Sequence, residues 1–283
     1  METEKVHLTK DRETYLPTLY GKALDSRVKN SILGDTYADE VVRKIDFDFD
    51  SLHLPSGGEI TLPMRAKHLD GWAREFLKTH PQATVLNLGC GLDSRVFRMD
   101  PPATVRWYDV DLPDVIELRK QLYPLRPNYQ MIGTSVTDLG WLDGIAGDLP
   151  VMVVAEGLMQ YLDEKEAMAI FNRLTEQFPS GQIVFDAYNR FTTRLITLVV
   201  KMGGRRSRLT AAGGEFHLPW GLDDPHTIEL AIPHLRLVDA VPFLTLPELT
   251  KRLSVSRYQR VVGGMMGKWG WYQRSMRHYR FEF

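Results

Sequence analysis

The segment VLNLGCGLDSR holds a Gly-x-Gly pair, Gly89 and Gly91, behind a short apolar run and ahead of a helix start. Glycines at such a turn let a ligand approach the backbone. Two carboxylates, Asp109 and Asp111, close the next apolar run, VRWYDVD, 18 and 20 positions after Gly91. An acid at that spacing commonly holds ribose hydroxyls, so strand, glycine turn and strand-end acid together point to a nucleoside ligand. A dinucleotide fits less well. Ser94 stands where the third glycine of the dinucleotide fingerprint belongs, and Asp93 lies beside the helix start on which a pyrophosphate would rest. A ligand with an ammonium group and no phosphate suits a carboxylate there. S-adenosylmethionine, with its ribose, adenine, amino-acid end and sulfonium, has that chemistry. Asp93 also reads as a helix N-cap, and Asp109 and Asp111 as a solvated strand end.

The elements that must position these residues follow from periodicity. Residues 15–45 read as helical, with Ala23, Leu24 and Val28 on one stripe, and 46–58 as an acidic loop ended by Pro55, Gly57 and Gly58. Met64, Leu69, Trp72, Phe76 and Leu77 predict a helix over 62–79. From there apolar runs alternate with helical stretches. Strands are expected at 83–88, 105–111, 129–132, 151–155, 183–186, 235–243 and 278–283. Helices are expected at 112–122, 163–178, 247–253 and 255–262, the second opening on Asp163 with Glu166 three residues on, a capping-box spacing. Near-continuous apolar strands between helices predict an α/β fold with a parallel sheet covered on both faces. Residues 187–234 break the rhythm and read as a cap over the sheet. The division is then an N-terminal helical segment or lid, 1–80, and a core, 81–283, carrying the cap.

Composition narrows the class. The 283 residues carry 35 Lys+Arg against 36 Asp+Glu, with 43% hydrophobic and 25% charged residues, which excludes a disordered chain and a globally basic nucleic-acid binder. Cys90 is the sole cysteine, so there is no intrachain disulfide and no multi-cysteine metal site, and a reducing, cytoplasmic location is expected. The charged N-terminus lacks the apolar core of a signal peptide. The longest apolar run near the middle, Leu195–Val200, is too short to span a bilayer.

LNLGCGLDSRVFR resembles the first motif of the leucine carboxyl methyltransferase family. The resemblance continues through WYDVDLPDVIELRK, AEGLMQYL and WGLDDPHTIELAIPHLRLVDAVPF, over roughly residues 15–245. It implies a doubly wound, mostly parallel, seven-stranded class I methyltransferase sheet with an added cap, an S-adenosylmethionine cofactor and O-methyl transfer. By the same resemblance Gly89 and Gly91 line the cofactor, Asp111 holds its ribose with Asp109 beside it, and Glu156 lies near its methionine end. Arg65 pairs with its carboxylate, and Lys22 matches the N-terminal basic residue loosely. Ser135 and Val136 occupy the adenine-side positions, where the family normally carries Asp-Leu followed by an acid and a tryptophan; Ser135 can accept from the adenine amino group, but without charge. The residues themselves agree. Arginine offers a planar fork to a carboxylate, and Glu156, where a buried strand leaves the sheet, needs a cationic partner. Arg95 and Arg98 are expected to pair with nearby acids, and Cys90 to pack as a small side chain.

The bacterial branch of the family is similar to polyketide O-methyltransferases, which implies a small-molecule acceptor; a protein C-terminal carboxylate is the alternative. A carboxylate needs no general base, whereas a phenol or alcohol would gain from one. Tyr161 and His217 are the foremost candidates, with Tyr188, His226 and His234 behind them. Tyr188, Phe191, Met202, Phe216 and Trp220 are expected to line the acceptor pocket. Three readings compete: a dinucleotide-dependent oxidoreductase, a protein that keeps the fold without catalysis, and a nucleic-acid module. The last rests on Lys201, Arg205, Arg206, Arg208 and a basic tail interleaved with Trp269, Trp271, Tyr272 and Tyr279.

Overall fold

The structure, a computed structural model, describes residues 15–52, 54, 57–203, 217–253 and 275–283, and the backbone of 6–7. In chain order the elements are β1 (Val6–His7), α1 (Leu16–Ser26), α2 (Thr36–Lys44), β2 (Ile45–Asp46), α3 (Gly58–Thr79), β3 (Ala83–Leu88), α4 (Arg95–Met99), β4 (Val105–Asp111), α5 (Pro113–Leu122) and β5 (Tyr129–Gly133). They continue with β6 (Val151–Ala155), α6 (Glu164–Gln177), β7 (Gly181–Tyr188), α7 (Arg190–Gly203), α8 (His226–Ala231), β8 (Arg236–Pro242), α9 (Pro247–Leu253) and β9 (Met276–Glu282).

Seven strands form one sheet in the order β5-β4-β3-β6-β7-β9-β8. The pairs from β5 through β7 are parallel, and β9 runs antiparallel to both β7 and β8. This is the expected mostly parallel, doubly wound α/β sheet. β3 is flanked by β4 on one side and β6 on the other, so the winding reverses there and leaves a crevice at the carboxyl ends of these strands.

Each strand's alternating residues feed opposite cores. On one face Val85, Trp107, Met152, Val154 and Val184 pack with α1, α2 and α3 through Leu16, Leu19, Tyr20, Ala23, Val41, Leu69, Trp72 and Phe76. On the other Leu86, Leu88, Val110, Val153 and Phe185 pack with α6 and α8 through Ile170, Phe171, Leu174 and Ile228. β3 and β6 are buried along their whole length, which is why they read as uninterrupted apolar runs. The capping box of α6 is formed: Asp163 accepts the Glu166 N–H and Glu166 accepts the Asp163 N–H, each at 2.8 Å.

Some expectations need correction. The helix over 15–45 is two helices. Asp25 captures Ser31 Oγ and the Ile32 and Leu33 N–H groups, and Gly34 takes φ +70°, so the chain turns sharply before α2. Val28 falls in that turn and is exposed rather than part of the apolar stripe. α3 begins at Gly58 and runs through Pro63, earlier than the loop reading allowed. The helix expected at 255–262 lies outside the described residues. No helix among the described residues is long and apolar enough to cross a membrane.

Candidate active site at the switch of the sheet

A cavity of about 470 Å³ opens where β3, β4 and β6 end. Its floor comes from the residues that follow each strand: Gly89, Cys90 and Gly91 after β3, Asp111 and Leu112 at the end of β4, and Glu156, Gly157 and Leu158 after β6. Thr134, Ser135 and Val136, beyond β5, form one side. The roof is α1 with its N-cap residue Tyr15; Tyr15, Thr18, Leu19 and Lys22 face the cavity. Arg65 of α3 completes the wall.

The turn after β3 requires its glycines. Gly89 has φ +60° and Gly91 φ +49°, and a Cβ on Gly89 would stand 2.9 Å from Leu158 Cδ1. The turn is pinned from both sides. Asp111 Oδ2 accepts the Gly91 N–H at 2.6 Å and its Oδ1 accepts the Leu112 N–H at 2.7 Å. Arg119 Nη1 donates to the carbonyls of Gly91 and Asp93 at 2.8 Å each. Burial raises the Asp111 carboxyl, outweighing the two N–H donors that stabilise its charge.

At the other end of the cavity lies a buried ionic cluster. Glu156 accepts from Arg95 Nη2 and from Arg65 Nε at 3.2 Å, and pairs with Lys22 Nζ at 3.3 Å. Lys22 also donates to Asp93 at 3.0 Å, and Arg98 donates twice to the same carboxylate. Asp70 gathers Arg95 and Arg98 beneath, each through Nε at 2.7 Å. Burial alone would raise Glu156, but Lys22, Arg65 and Arg95 pull it down to about 2. The same opposition, with Arg98, Lys22 and Arg95 prevailing, holds Asp93 well below the usual carboxylate range. Both are therefore ionised at neutral pH.

Among the residues named from sequence, the structure brings Lys22, Arg65, Gly89, Gly91, Asp111, Ser135, Val136, Glu156 and Tyr161 to this one cavity. Asp109 is the exception and a correction. It is fully buried beneath the floor, bound by Arg119, Asn87 Nδ2 at 2.8 Å, Trp107 Nε1 at 3.0 Å and the Tyr129 hydroxyl at 2.7 Å. It sits two residues deeper in β4 than Asp111 and does not line the cavity. Asp93 is not a helix cap either: Ser94 holds the N-cap position of α4, and the Asp93 side chain is consumed by cations. Arg95 and Arg98 pair with acids as expected, and Arg95 also lines the cavity.

The other base candidates lie elsewhere. His217 is exposed and lines no part of the cavity. His226 pairs with Glu229 on the exposed face of α8. His234 stands beside Gly181, at the opposite end of β7. The aromatic acceptor wall also differs from expectation. Trp220 is packed in the core, Phe191 and Met202 face outward on α7, and Phe216 lies outside the described residues. Leu19, Leu158, Leu162, Tyr15 and Tyr161 supply the apolar wall instead. Of the basic, aromatic tail, Arg280 is bound by Asp239 and Glu75 and lies over Trp72, and Tyr279 is buried against Phe185. Residues 254–274 of that tail lie outside the described residues.

Sequence reasoning passed over Tyr15, Thr18 and Leu19, whose reach depends on how α1 docks, and Asp186. The last is an acid in an otherwise apolar strand, IVFDAY, the same signal that singled out Glu156. It is fully buried behind the cavity, accepting the Gly157 N–H at 2.6 Å.

The sequence model of the leucine carboxyl methyltransferase family matches residues 16–126. The chain is 42% identical over 255 residues, 90% of this chain and 91% of the relative, to the tetracenomycin polyketide synthesis O-methyltransferase TcmP of Streptomyces glaucescens. It is 33% identical over 255 residues, 83% of each chain, to the S-adenosyl-L-methionine-dependent methyltransferase dpfgK of Gibberella zeae. Among solved structures, a candidate methyltransferase from Thermobifida fusca YX superposes with TM-score 0.54 at 15% identity, over 92% of this chain and 93% of that one. The plantazolicin methyltransferase BpumL superposes with TM-score 0.50 at 9% identity, over 95% and 98%. The structural matches speak to the class I fold. The sequence matches carry the assignment: this chain belongs to the leucine carboxyl methyltransferase family and is an S-adenosylmethionine-dependent O-methyltransferase.

Proposed function

We propose that the enzyme methylates an oxygen of a flat, largely apolar small molecule of the polyketide type. The observation that carries this reading is the polarity of the cavity: a fixed carboxylate, Asp111, at one end, an ionic cluster on Glu156 at the other, and an apolar, aromatic wall between them under α1. The 42% identity to a polyketide synthesis O-methyltransferase supports the acceptor class.

The residues present suit the cofactor. Gly89 and Gly91 form a floor that a Cβ would narrow. Asp111 keeps lone pairs beyond its two N–H donors for ribose hydroxyls. Ser135 and Val136 border the adenine side. Glu156 meets the cofactor ammonium, and Arg65 meets its carboxylate. Arg65 donates through Nε to Glu156, while its two Nη groups make no hydrogen bond among the described residues, which leaves a fork for a second carboxylate. Lys22 bridges Asp93 and Glu156 and ties α1 to this end.

S-adenosylmethionine supplies a methyl group already activated on a sulfonium. The protein's task is then alignment and exclusion of water. α1 closes the roof with Tyr15, Thr18 and Leu19, and Leu158, Tyr161 and Leu162 shape the acceptor side. α1 thus acts as the lid, whereas none of the described residues of 187–234 lines the cavity. No side-chain base is assigned. Tyr161 is the one base candidate that reaches the cavity, and burial raises its phenol above the ordinary tyrosine range, so it orients an acceptor rather than deprotonating it at neutral pH.

Radiolabelled methyl transfer tests the reading, using aromatic polyketide acids, the matching phenols and a peptide with a C-terminal carboxylate. Labelling of the aromatic compounds is expected, and base lability of the product separates ester from ether. Labelling of the peptide alone would overturn the small-molecule reading.

A further inference from the structure

Asp186 belongs to no contact that the proposed chemistry uses. It lies in β7, next to β6, and none of it is exposed. Oδ1 accepts the Gly157 N–H at 2.6 Å. Oδ2 is buried with no hydrogen-bond partner among the described residues, and Arg65 Nη1 lies 3.8 Å from it, an ion-pair distance beyond hydrogen-bond reach. Buried carboxylate oxygens are seldom left this way without a reason. Gly157 fills the remaining side: at φ +69°, a Cβ there would stand 3.2 Å from Arg65 Nη2. Arg65 is thus held between two carboxylates. Glu156 takes its Nε, and Asp186 attracts its Nη end without capturing it.

We propose that Asp186 is a positioning residue that holds Arg65 in the orientation presenting its two Nη groups to the carboxylate end of the cofactor. Without the negative charge behind it, the guanidinium would swing fully onto Glu156, and Glu156 would be less available to a cofactor ammonium. One anchor, through Oδ1, sets the Gly157 turn, and the unbonded Oδ2 sets the arginine. The inference rests on the assignment of Arg65 to the cofactor carboxylate.

Calorimetry on the full chain tests it with two probes, S-adenosylhomocysteine and methylthioadenosine, which shares the nucleoside and lacks the amino-acid end. Asp186→Asn keeps a side-chain oxygen for Gly157 and removes the charge behind Arg65. It is expected to bind S-adenosylhomocysteine about tenfold more weakly and methylthioadenosine as the wild type does. In an Arg65→Ala background the same substitution should have no further effect. Equal loss for both probes, or no loss for either, would overturn the proposal. Should Asp186→Asn unfold, Asp186→Ser is measured in the same way. Unfolding of both variants would also overturn it, since the side chain would then be holding the sheet rather than Arg65. Failure of the wild type to bind S-adenosylhomocysteine would instead sink the cofactor assignment itself.

Discussion

Asp111 is bonded directly to the turn it faces: its Oδ2 accepts the Gly91 N–H at 2.6 Å, joining the end of β4 to the glycine turn after β3. The second oxygen takes the Leu112 N–H, so the carboxylate cannot rotate. Asp111→Asn offers one acceptor where two N–H groups now donate, and brings an amide against one of them. Affinity for S-adenosylhomocysteine is expected to fall about 10- to 100-fold, the loss of charge-assisted hydrogen bonds, as read by calorimetry. Wild-type affinity in this variant would remove Asp111 from the ribose position.

Gly89 tests the floor of the cavity. A side chain at φ +60° costs about 1–2 kcal/mol of backbone strain, and here the Cβ also presses on Leu158. Gly89→Ala should lower the melting temperature and weaken cofactor binding together. A variant that melts normally and binds normally would mean that the turn relaxes freely.

Asp109 should behave unlike Asp111 although the two are nearly adjacent. It is sealed beneath the floor against Arg119. Asp109→Asn leaves a buried guanidinium uncompensated, at about 3–5 kcal/mol by analogy with other broken buried pairs. Urea denaturation should show that loss. Cofactor affinity of the folded fraction should fall less than in Asp111→Asn, because Arg119 still reaches the Gly91 and Asp93 carbonyls. The reverse ranking would return Asp109 to the cavity.

These two aspartates show what the sequence could and could not reveal. Periodicity located both on one strand, and the family motif marked the end of that strand. Their difference in depth is set by register: Asp109 pairs opposite Asn87 and Met131 inside the sheet, whereas Asp111 pairs opposite Gly133 at its rim. Register is a property of three strands together and is not written in any one of them. The central strands were legible because burial on both faces makes them uniformly apolar. The roof was not, since nothing local to Tyr15, Thr18 and Leu19 says that α1 will lie across strand ends more than sixty residues away in the chain. Lys22 is legible only through the family motif, and Asp186 carries in sequence the same signal as Glu156. The dinucleotide alternative, already strained by Asp93, falls with the family assignment.

Cys90 lies between the two glycines of the turn, is buried, and borders the cavity. Burial pushes its thiol well above the ordinary range, so no thiolate forms at neutral pH and the sulfur has no nucleophilic part to play. Cys90→Ala should keep wild-type turnover and lose about 1 kcal/mol of stability from the small void. Loss of turnover with intact cofactor binding would give the sulfur a role that packing does not explain.

His278 and His68 make stability depend on pH in a calculable direction. Their Nδ1 atoms are 2.9 Å apart, so one ring must donate and the other accept. His278 is fully buried, stacks on Phe243, and has no partner at Nε2 among the described residues. Burial lowers both histidines, His278 well below 6.5, with Arg65 and His68 adding to the effect at His278 and Glu156 opposing it. At His68, Asp239 and Glu75 oppose the burial and Arg280 reinforces it. Below about pH 6.5 the unfolded chain takes up protons that the folded pair refuses, so stability falls as pH drops, by about 1.4 kcal/mol per pH unit for each proton excluded. Above pH 7 the pair contributes no slope. Asp186 and Asp111, raised by burial, work in the opposite sense, binding protons sooner when folded. Glu156, held at about 2, gives up its stabilisation only below the ordinary carboxylate range, as pH falls from about 4.5 toward 2. Comparison with a variant lacking His278 isolates the histidine contribution between pH 7 and 5, because the carboxylates are common to both proteins. Urea denaturation across that range should show falling stability in the wild type and a flatter profile in His278→Phe, which keeps a ring against Phe243. Equal slopes in the two proteins would mean that the pair accepts its second proton while folded.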